Sequence, residues 1–130
     1  MTQGRLTLEV LEGRFAVCRC SVDGLLQFPK GVNGFFSWTC SEDELSVVCR
    51  EESVPEQAEV ESGWRGFRIA GEVDFHLLGI LASLTAPLAQ AGISVFVIST
   101  FSTDYVFVKA DKLGEAVSAL QDCGFEFRES

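Results

Sequence analysis

One segment, Asp74–Lys109, constrains the fold of this chain more than any other part of the sequence. It begins with an acidic residue and continues as an apolar helical pattern that Gly92 ends. An apolar strand, a short polar turn and a second strand follow. A helix followed by two strands in this way predicts an α+β fold in which the helix covers a sheet.

The second half of the chain predicts six elements in the order strand, helix, strand, strand, helix, strand, which is the ferredoxin-like βαββαβ arrangement. Asp74 is the expected N-cap of the first helix, and Pro87 predicts a kink or a short break in it. The third element is apolar on both faces, as is typical of a central strand. The predicted elements are Trp64–Ala70, Phe75–Ala91, Ile93–Thr100, Tyr105–Lys109, Lys112–Cys123 with Asp111 as cap, and Phe125–Phe127.

The first half predicts strands but no long helix. Glu51–Ser62 carries five glutamates and a proline, which indicates a solvated linker or a frayed helix. At most one short helical turn is expected near Asp23–Phe28. The predicted strands are Leu6–Val10 and Phe15–Cys20, as an extended strand pair, followed by Phe35–Cys40 and Leu45–Cys49.

The two halves also resemble each other. When the sequence is shifted by sixty positions, Phe36 falls on Phe96, Glu44 on Asp104 and Val48 on Val108. The first half therefore reads as a degenerate copy of the second, and we expect modules at residues 1–62 and 63–130. Placed side by side, two such modules would share a sheet and form a groove.

Composition limits the function. The 130 residues are 47% hydrophobic, which is enough for a packed core, and the net charge of −9 disfavours binding to nucleic acid or to anionic lipid. No apolar run approaches the length of a membrane span, and the polar start is unlike a signal peptide. The expected location is the cytosol.

The cysteines and the single histidine predict neither a metal site nor catalysis. Five cysteines without a secretion signal argue against a disulfide framework, and we expect buried or half-buried thiols. Cys18 and Cys20 fall on one face of a strand, but a metal site needs more ligands, and the only histidine is His76. No nucleophile–base pair and no phosphate loop is visible, so we predict no cofactor and no enzyme activity.

Three stretches carry a family resemblance: G-W-R at Gly63–Arg65, then DFHLLGILA, then PLAQAGISVFVISTFSTDYVFVK. They resemble the second module of the small tandem ACT-domain proteins, a group that includes the cytosolic arginine sensors of animals and short bacterial relatives. This resemblance implies two side-by-side ferredoxin-like ACT modules, the N-terminal one degenerate. It also implies a regulatory function, with an amino acid bound at the interface between modules.

The residues and the resemblance together predict a binding site. A helix N-terminus offers free backbone N–H groups to a ligand carboxylate, and a nearby acid can receive its ammonium group. We expect the carboxylate at the amides of Phe75–Leu78 and the ammonium at Asp104, with the edge strand around Ser46 and Val47 as the opposite wall. The predicted ligand-binding residues are Asp74, Phe75, His76, Leu77, Leu78, Gly79, Thr100, Phe101, Asp104, Ser46 and Val47.

Structural explanations exist for the same residues. Asp74 can serve only as a helix cap, Asp104 can hydrogen-bond its own turn, and Gly79 can permit tight helix–sheet packing. The resemblance places an acid for the arginine guanidinium where this chain has Leu77, which favours an aliphatic or aromatic amino acid over arginine. The sensors contain twice as many modules, so we expect a homodimer. The alternative function is an ACT-like scaffold for dimerisation or protein interaction without a ligand.

Overall fold

The structure is a computed structural model that describes residues 6–21, 34–70 and 79–129. By their backbone contacts these residues form two compact units. The discontinuous unit contains the residues up to Glu12 and those from Arg65 onwards, and the continuous unit is Gly13–Trp64. The elements are β1 Thr7–Val10, β2 Phe15–Cys20, β3 Ser37–Cys40, β4 Leu45–Arg50, β5 Glu59–Ile69, α1 Ile80–Gln90, β6 Val95–Ser99, β7 Asp104–Lys109, α2 Leu113–Asp122 and β8 Glu126–Glu129.

The discontinuous unit has the βαββαβ order β5, α1, β6, β7, α2, β8. Its strands pair in the sequence β8–β1–β5–β7–β6, so the N-terminal strand β1 lies between the first and last strands of the motif. β1 is antiparallel to the second half of β5 and parallel to β8. The unit thus combines both ends of the chain. The predicted division at 1–62 and 63–130 follows the sequence repeat and stays a prediction about modules.

The two helices of this unit supply one half of its core. α1 contributes Ile80, Leu84 and Leu88, which follow one another at four-residue spacing, and α2 contributes Ala116 and Leu120. These side chains pack with those of four strands and of the residue after α1, namely Leu8, Phe67, Ile69, Ile93, Val106 and Val108. Burial of each large aliphatic or aromatic side chain contributes roughly 1.5–3 kcal/mol to folding.

Helix α1 begins later than the sequence predicted. Gly79 has a left-handed backbone with φ 78°, and the first helical hydrogen bond runs from the N–H of Ser83 to the carbonyl of Gly79. The predictions of a helix from Phe75 with Asp74 as its N-cap, and of Gly79 inside that helix, are therefore wrong. The continuous apolar pattern concealed the break, because a glycine can leave the helical region without any change in hydrophobic period.

The C-terminal ends of both helices agree with the sequence. Gly92 and Gly124 have positive φ, and the N–H groups of Ile93 and Phe125 bond back to the carbonyls of Leu88 and Leu120. This is the glycine-dependent ending that the sequence predicted. The helix continues through Pro87 to Gln90, so the short break considered there is not formed.

Helix α2 begins differently from the prediction. A single 3₁₀ turn, Ala110–Lys112, precedes it, and Lys112 is its N-cap. Asp111 lies within the 3₁₀ turn and so does not cap α2. The tight turn satisfies the chain entry through backbone geometry rather than through a carboxylate.

The continuous unit pairs its strands in the order β3–β4–β2–β5. All three pairings are antiparallel, as in a ferredoxin-like sheet whose first strand is β2. Its core contains Ala16, Cys18, Leu45, Val47 and Cys49. β1 and β2 do not pair with each other: they pair with different halves of β5, which corrects the predicted strand pair. The predicted helical turn Asp23–Phe28 lies outside the described residues.

The acidic segment after β4 is shorter than expected. Glu51–Ser53 forms one 3₁₀ turn, and β5 already begins at Glu59, so the prediction of a linker or frayed helix up to Ser62 is wrong for its last four residues. Their glutamates alternate with Val60 and Ser62 on an exposed strand, a pattern that the high charge obscured. In the described part of this unit no α-helix follows β4 where α2 follows β7.

The hairpin pairing corrects the register of the repeat. Cys40 pairs with Leu45 and Ser99 pairs with Asp104, so the hairpins match at a shift of 59 positions rather than sixty. The structural counterpart of Asp104 is therefore Leu45, not Glu44. The shift of sixty was wrong because valine-rich strands give apolar matches at several registers, whereas a shift of one residue exchanges the two faces of a strand.

Strand β6 is also placed differently from the prediction. Among the described strands it pairs only with β7, so the expected central strand lies at the edge of the sheet. Its residues Val95–Ile98 are half-buried. Val95 and Val97 pack on the core, and Phe96 stacks on Phe107 with ring centroids 4.8 Å apart.

Candidate functional site

The turn between β6 and β7 is held by its own hydroxyl groups. The N–H of Thr100 donates to the carbonyl of Thr103 at 2.8 Å, and the N–H of Thr103 donates to Oγ1 of Thr100 at 3.2 Å. The same hydroxyl donates to the carbonyl of Thr103 at 3.1 Å. These bonds fix the four residues Thr100–Thr103 as one tight turn.

Thr103 connects this turn to the end of β5. Its side chain is buried, and Oγ1 donates to the carbonyl of Ile69 at 2.8 Å. The chain leaves β5 towards α1 directly after this position. The β6–β7 turn and the start of the β5–α1 connection therefore lie at the same end of the sheet.

Asp104 is the first residue of β7 and is half-buried. Its Oδ1 accepts a hydrogen bond from Oγ of Ser99, the residue paired with it across the hairpin, at 2.5 Å. Among the described residues, no lysine or arginine forms a salt bridge with this carboxylate. The structure thus presents a carboxylate that is oriented by a neighbouring hydroxyl and can take a cationic partner.

The remaining predicted residues of this unit are partly described. Phe101 is 85% exposed at the tip of the turn, and Gly79 is exposed just before α1. The N–H groups of Ile80, Leu81 and Ala82 precede the first helical hydrogen bond and so have no partner within the helix. The predicted residues Asp74, Phe75, His76, Leu77 and Leu78 lie outside the described residues.

Ser46 and Val47 belong to the continuous unit, and their surroundings differ from the expectation. They lie on β4, which pairs with β2 on one side and β3 on the other, so it is not the edge strand that we predicted. Both sides of its backbone are used within the sheet. The side chain of Val47 is 2% exposed in the core of the unit, whereas Ser46 faces the opposite side.

Ser46 lines an open groove of about 420 Å³ that the sequence reasoning missed. Across it Arg19 and Glu59 form a bidentate ion pair, with both oxygens of Glu59 at 2.8 Å from one guanidinium nitrogen. The full lining is Val17, Cys18, Arg19, Glu44, Ser46, Glu59, Val60 and Glu61. The alternating charges of β5 were the signal for this surface, but its strand was read as a linker.

A second charged group lies on the sheet of the discontinuous unit. Glu9 on β1 accepts a hydrogen bond from Arg68 on β5 at 2.7 Å and lies 3.4 Å from Arg128 on β8. The hydrogen bond from Arg68 is the main reason why the pKa of Glu9 is lowered, although burial acts in the opposite direction. This arrangement stabilises three adjacent strands rather than forming an open site.

The cysteines are free, and they divide into two groups. Cys18 and Cys49 are buried, and burial raises the pKa of both thiols, that of Cys49 to about 12. Cys40 and Cys123 are exposed, which corrects the expectation of burial for these two. Within residues 6–21, 34–70 and 79–129, no three His, Cys, Asp or Glu side chains are grouped so that they could hold a metal ion.

Neither of the two described helices combines the length and the apolar composition that crossing a bilayer requires. The ACT-domain family model matches residues 59–122, and a second family model, which describes an N-terminal domain, matches residues 13–57. The ACT match begins at β5 and ends with α2, so it contains the β6–β7 turn.

Three known proteins show what the chain is similar to. The human cytosolic arginine sensor for mTORC1 subunit 1 is 35% identical over 95 residues, which cover 67% of this chain but 29% of the sensor. The chain therefore spans less than a third of that relative's length. The crystal structure of Agrobacterium tumefaciens protein Atu0741 is 32% identical, with a TM-score of 0.87 over 98% of this chain and 95% of that one.

The third similarity concerns the fold alone. The regulatory subunit of aspartate kinase from Thermus thermophilus has a TM-score of 0.66 at 10% identity, over 88% of this chain and 95% of that one. An amino-acid-pathway regulator and this chain thus share one architecture, whereas their sequences have little in common.

Proposed function

The chain belongs to the ACT-domain family, among the small proteins that resemble the cytosolic arginine sensors, and on this basis we propose that it binds a free amino acid and acts as a regulatory sensor without catalysis. Asp104 is the observation that carries the proposal. Its carboxylate is oriented by Ser99 on a turn that Thr103 ties to β5. A carboxylate held in this way suits the ammonium group that every free amino acid carries.

The ligand carboxylate is proposed to meet backbone N–H groups near the start of α1. β5 leads into α1 at the end of the sheet where the β6–β7 turn lies, as the Thr103–Ile69 hydrogen bond indicates. We therefore add the amides of Ile80–Ala82 to those of Phe75–Leu78 that the sequence suggested. Asp74, His76, Gly79, Thr100 and Phe101 complete the proposed surroundings of the ligand.

The ligand is proposed to be aliphatic or aromatic rather than arginine, because Leu77 stands where the sensors have an acid. Ser46 and Val47 are weaker candidates than before, since β4 is an interior strand and Val47 is a core residue. The proposed working form is a homodimer built from tandem modules in the cytosol, where free thiols persist.

A thermal-shift screen of the wild-type protein against the twenty amino acids tests the proposal, followed by calorimetry with the best stabiliser. We expect Asp104→Asn to fold normally and to weaken binding by about ten- to a hundredfold, because a charge-assisted bond contributes roughly 1.5–3 kcal/mol. Asp111→Asn is the matched control: it removes an exposed carboxylate from the same unit and should leave the affinity unchanged.

Unchanged affinity in Asp104→Asn would remove this residue from the site. If no amino acid bound the wild type at ~10 mM, which corresponds to a binding free energy weaker than about 3 kcal/mol, the ligand proposal would fail. The second candidate function, a scaffold for dimerisation or protein interaction without a ligand, would then replace it. The apolar edge strand β6 is the specific observation that favours this alternative.

A further inference from the structure

Three described strands have a single partner strand each and so form sheet edges. β3 pairs with β4, β8 pairs with β1, and β6 pairs with β7. An edge strand directs backbone N–H and C=O groups outwards and can pair with another chain, and proteins usually prevent this with charges, short strands or bulges. The three edges differ in these protective features.

β8 and β3 are protected, but β6 is not. β8 carries Glu126 and Arg128 in alternation, and β3 has only four residues and leads into the acidic turn Ser41–Glu44. No charged residue or proline occurs between Gln90 and Asp104, and the register of β6 with β7 runs without a bulge over five pairs. β6 is thus the longest flat apolar edge among the described strands.

The side chains of β6 have the pattern of a central strand. Four successive apolar residues, Val95–Ile98, are half-buried on both faces of the strand. Apolar side chains on both faces are typical of strands with neighbours on both sides, whereas an edge strand usually carries polar residues. The sequence of β6 is therefore suited to a position that this single chain does not provide for it.

We infer that β6 pairs in antiparallel orientation with β6 of a second copy of this chain, which continues the sheet of the discontinuous unit across a two-fold axis. A two-fold contact brings a strand against itself, so charges on it would meet like charges. The chain carries a net charge of −9, but β6 and its flanking residues carry none, which makes this the edge where two acidic copies can approach. The inference rests on the homodimer of the proposed function and identifies its contact.

Sedimentation of the wild type and of two lysine variants tests this contact. Ile98→Lys places a cation on the β6 edge, where the two-fold axis brings it near its own copy, and Thr39→Lys makes the same addition on the β3 edge. We expect a wild-type dimer of 14.2 kDa chains and a dissociation constant at least about tenfold higher in Ile98→Lys, with less than about a twofold change in Thr39→Lys. A dimer that Thr39→Lys dissociates and Ile98→Lys leaves intact would overturn the assignment to β6.

Hydrogen exchange of the wild type gives an answer that does not depend on the folding of a variant. The amides of β6 should exchange more slowly at protein concentrations above the dissociation constant than below it, while those of β3 and β8 should not change. Protection of β3 or β8 alone would assign the dimer to another edge. A wild type that stayed monomeric at tens of micromolar would overturn both the homodimer and this contact, whereas the thermal-shift screen tests amino-acid binding separately.

Discussion

The two hairpin turns, Ser41–Glu44 and Thr100–Thr103, have the same backbone scheme and different surroundings. In each, the first residue donates its N–H to the carbonyl of the fourth, at 2.9 Å in Ser41–Glu44 and 2.8 Å in Thr100–Thr103. In each, the hydroxyl of the first residue accepts the N–H of the fourth, at 3.2 Å in both. A serine or threonine followed by two polar residues therefore determines this turn locally.

The difference lies in the fourth residue of each turn and the one after it. Glu44 is exposed and is followed by the core residue Leu45, whereas Thr103 is buried, bonds to Ile69 and is followed by Asp104. The first turn is thus only a connection. The second turn is fixed to the sheet and presents a carboxylate. A ligand site needs this rigidity, because a mobile carboxylate would lose entropy on binding.

The two units differ in the same sense after their second hairpin strand. A 3₁₀ turn follows in both, but only the discontinuous unit continues into an α-helix, α2. In the continuous unit the corresponding positions begin with Val54 and Pro55 and lead directly into β5. The described core of the discontinuous unit is larger for this reason, and we expect stability to depend more on it.

The largest expected effect tests this difference in core size. Leu120→Ala removes a fully buried side chain from α2 and should lower the free energy of unfolding by about 2–5 kcal/mol, because a cavity forms among packed helix and strand residues. Val54→Ala, at the counterpart position where α2 would begin, should cost less than about 1.5 kcal/mol. Urea unfolding measures both, and equal losses would contradict the unequal contribution of the two units.

The next effect separates the anchored turn from the exposed one. Thr103→Val keeps the shape but removes the hydroxyl, and the carbonyl of Ile69 loses a buried donor, so we expect a loss of about 1–3 kcal/mol. Glu44→Gln changes the counterpart residue on the surface and should stay within about 0.5 kcal/mol. If chemical denaturation gave Thr103→Val the small value, the turn would not depend on its attachment to β5.

A smaller effect concerns the hydroxyl that begins each turn. Thr100→Val should lower stability by about 0.5–1.5 kcal/mol, because the N–H of Thr103 loses its acceptor in a partly buried setting. Ser41→Ala removes the equivalent acceptor where water can replace it, so its cost should be lower. Thermal melts of the two variants at matched pH compare them directly, and a larger loss in Ser41→Ala would reverse the ranking of the turns.

The smallest effect is expected from surface ion pairs, and it depends on pH. Arg68 lowers the pKa of Glu9, so Glu9 stabilises the fold at pH values above the unfolded-state pKa of about 4.3. This stabilisation is lost as the pH falls through the lower folded-state pKa. We expect Glu9→Gln to be less stable than the wild type at pH 7, and the two to converge near pH 2–3.

The counterpart ion pair in the continuous unit serves as the control. Glu59→Gln removes the partner of Arg19, where both side chains are mostly exposed and water screens the charges. Its melting temperature should therefore follow that of the wild type over the whole pH range. A difference between Glu9→Gln and the wild type that persisted at low pH would show that the carboxylate charge is not the cause.

The sequence predicted the elements of the discontinuous unit well where the hydrophobic period and glycine act together. It predicted the β6–β7 hairpin and the glycine endings of both helices, because these depend on local backbone preferences. It failed at the starts of α1 and α2, where backbone geometry rather than an aspartate begins the helix. Charge also misled it: the glutamates before Trp64 indicated a linker, whereas they face solvent from a strand.

The candidate site divides in the same way. Thr100, Phe101 and Asp104 were identified from one short turn, and the structure shows how that turn is built. The anchoring role of Thr103 was missed, because its partner Ile69 lies 34 positions away in the chain. The edge position expected for Ser46 and Val47 was wrong for the same reason, since strand order depends on contacts between distant segments.

The sequence by itself determined the local features of this protein: an α+β chain, its hairpin turns, its helix ends and an acid directly after the second turn. Only the tertiary structure decided that β1 lies between β5 and β8, that β6 forms an edge and that the hairpins match at 59 positions. The physical reason is that turns and helix ends depend on neighbouring residues. Strand order and register depend instead on which distant apolar faces pack together, and several arrangements satisfy the same local pattern.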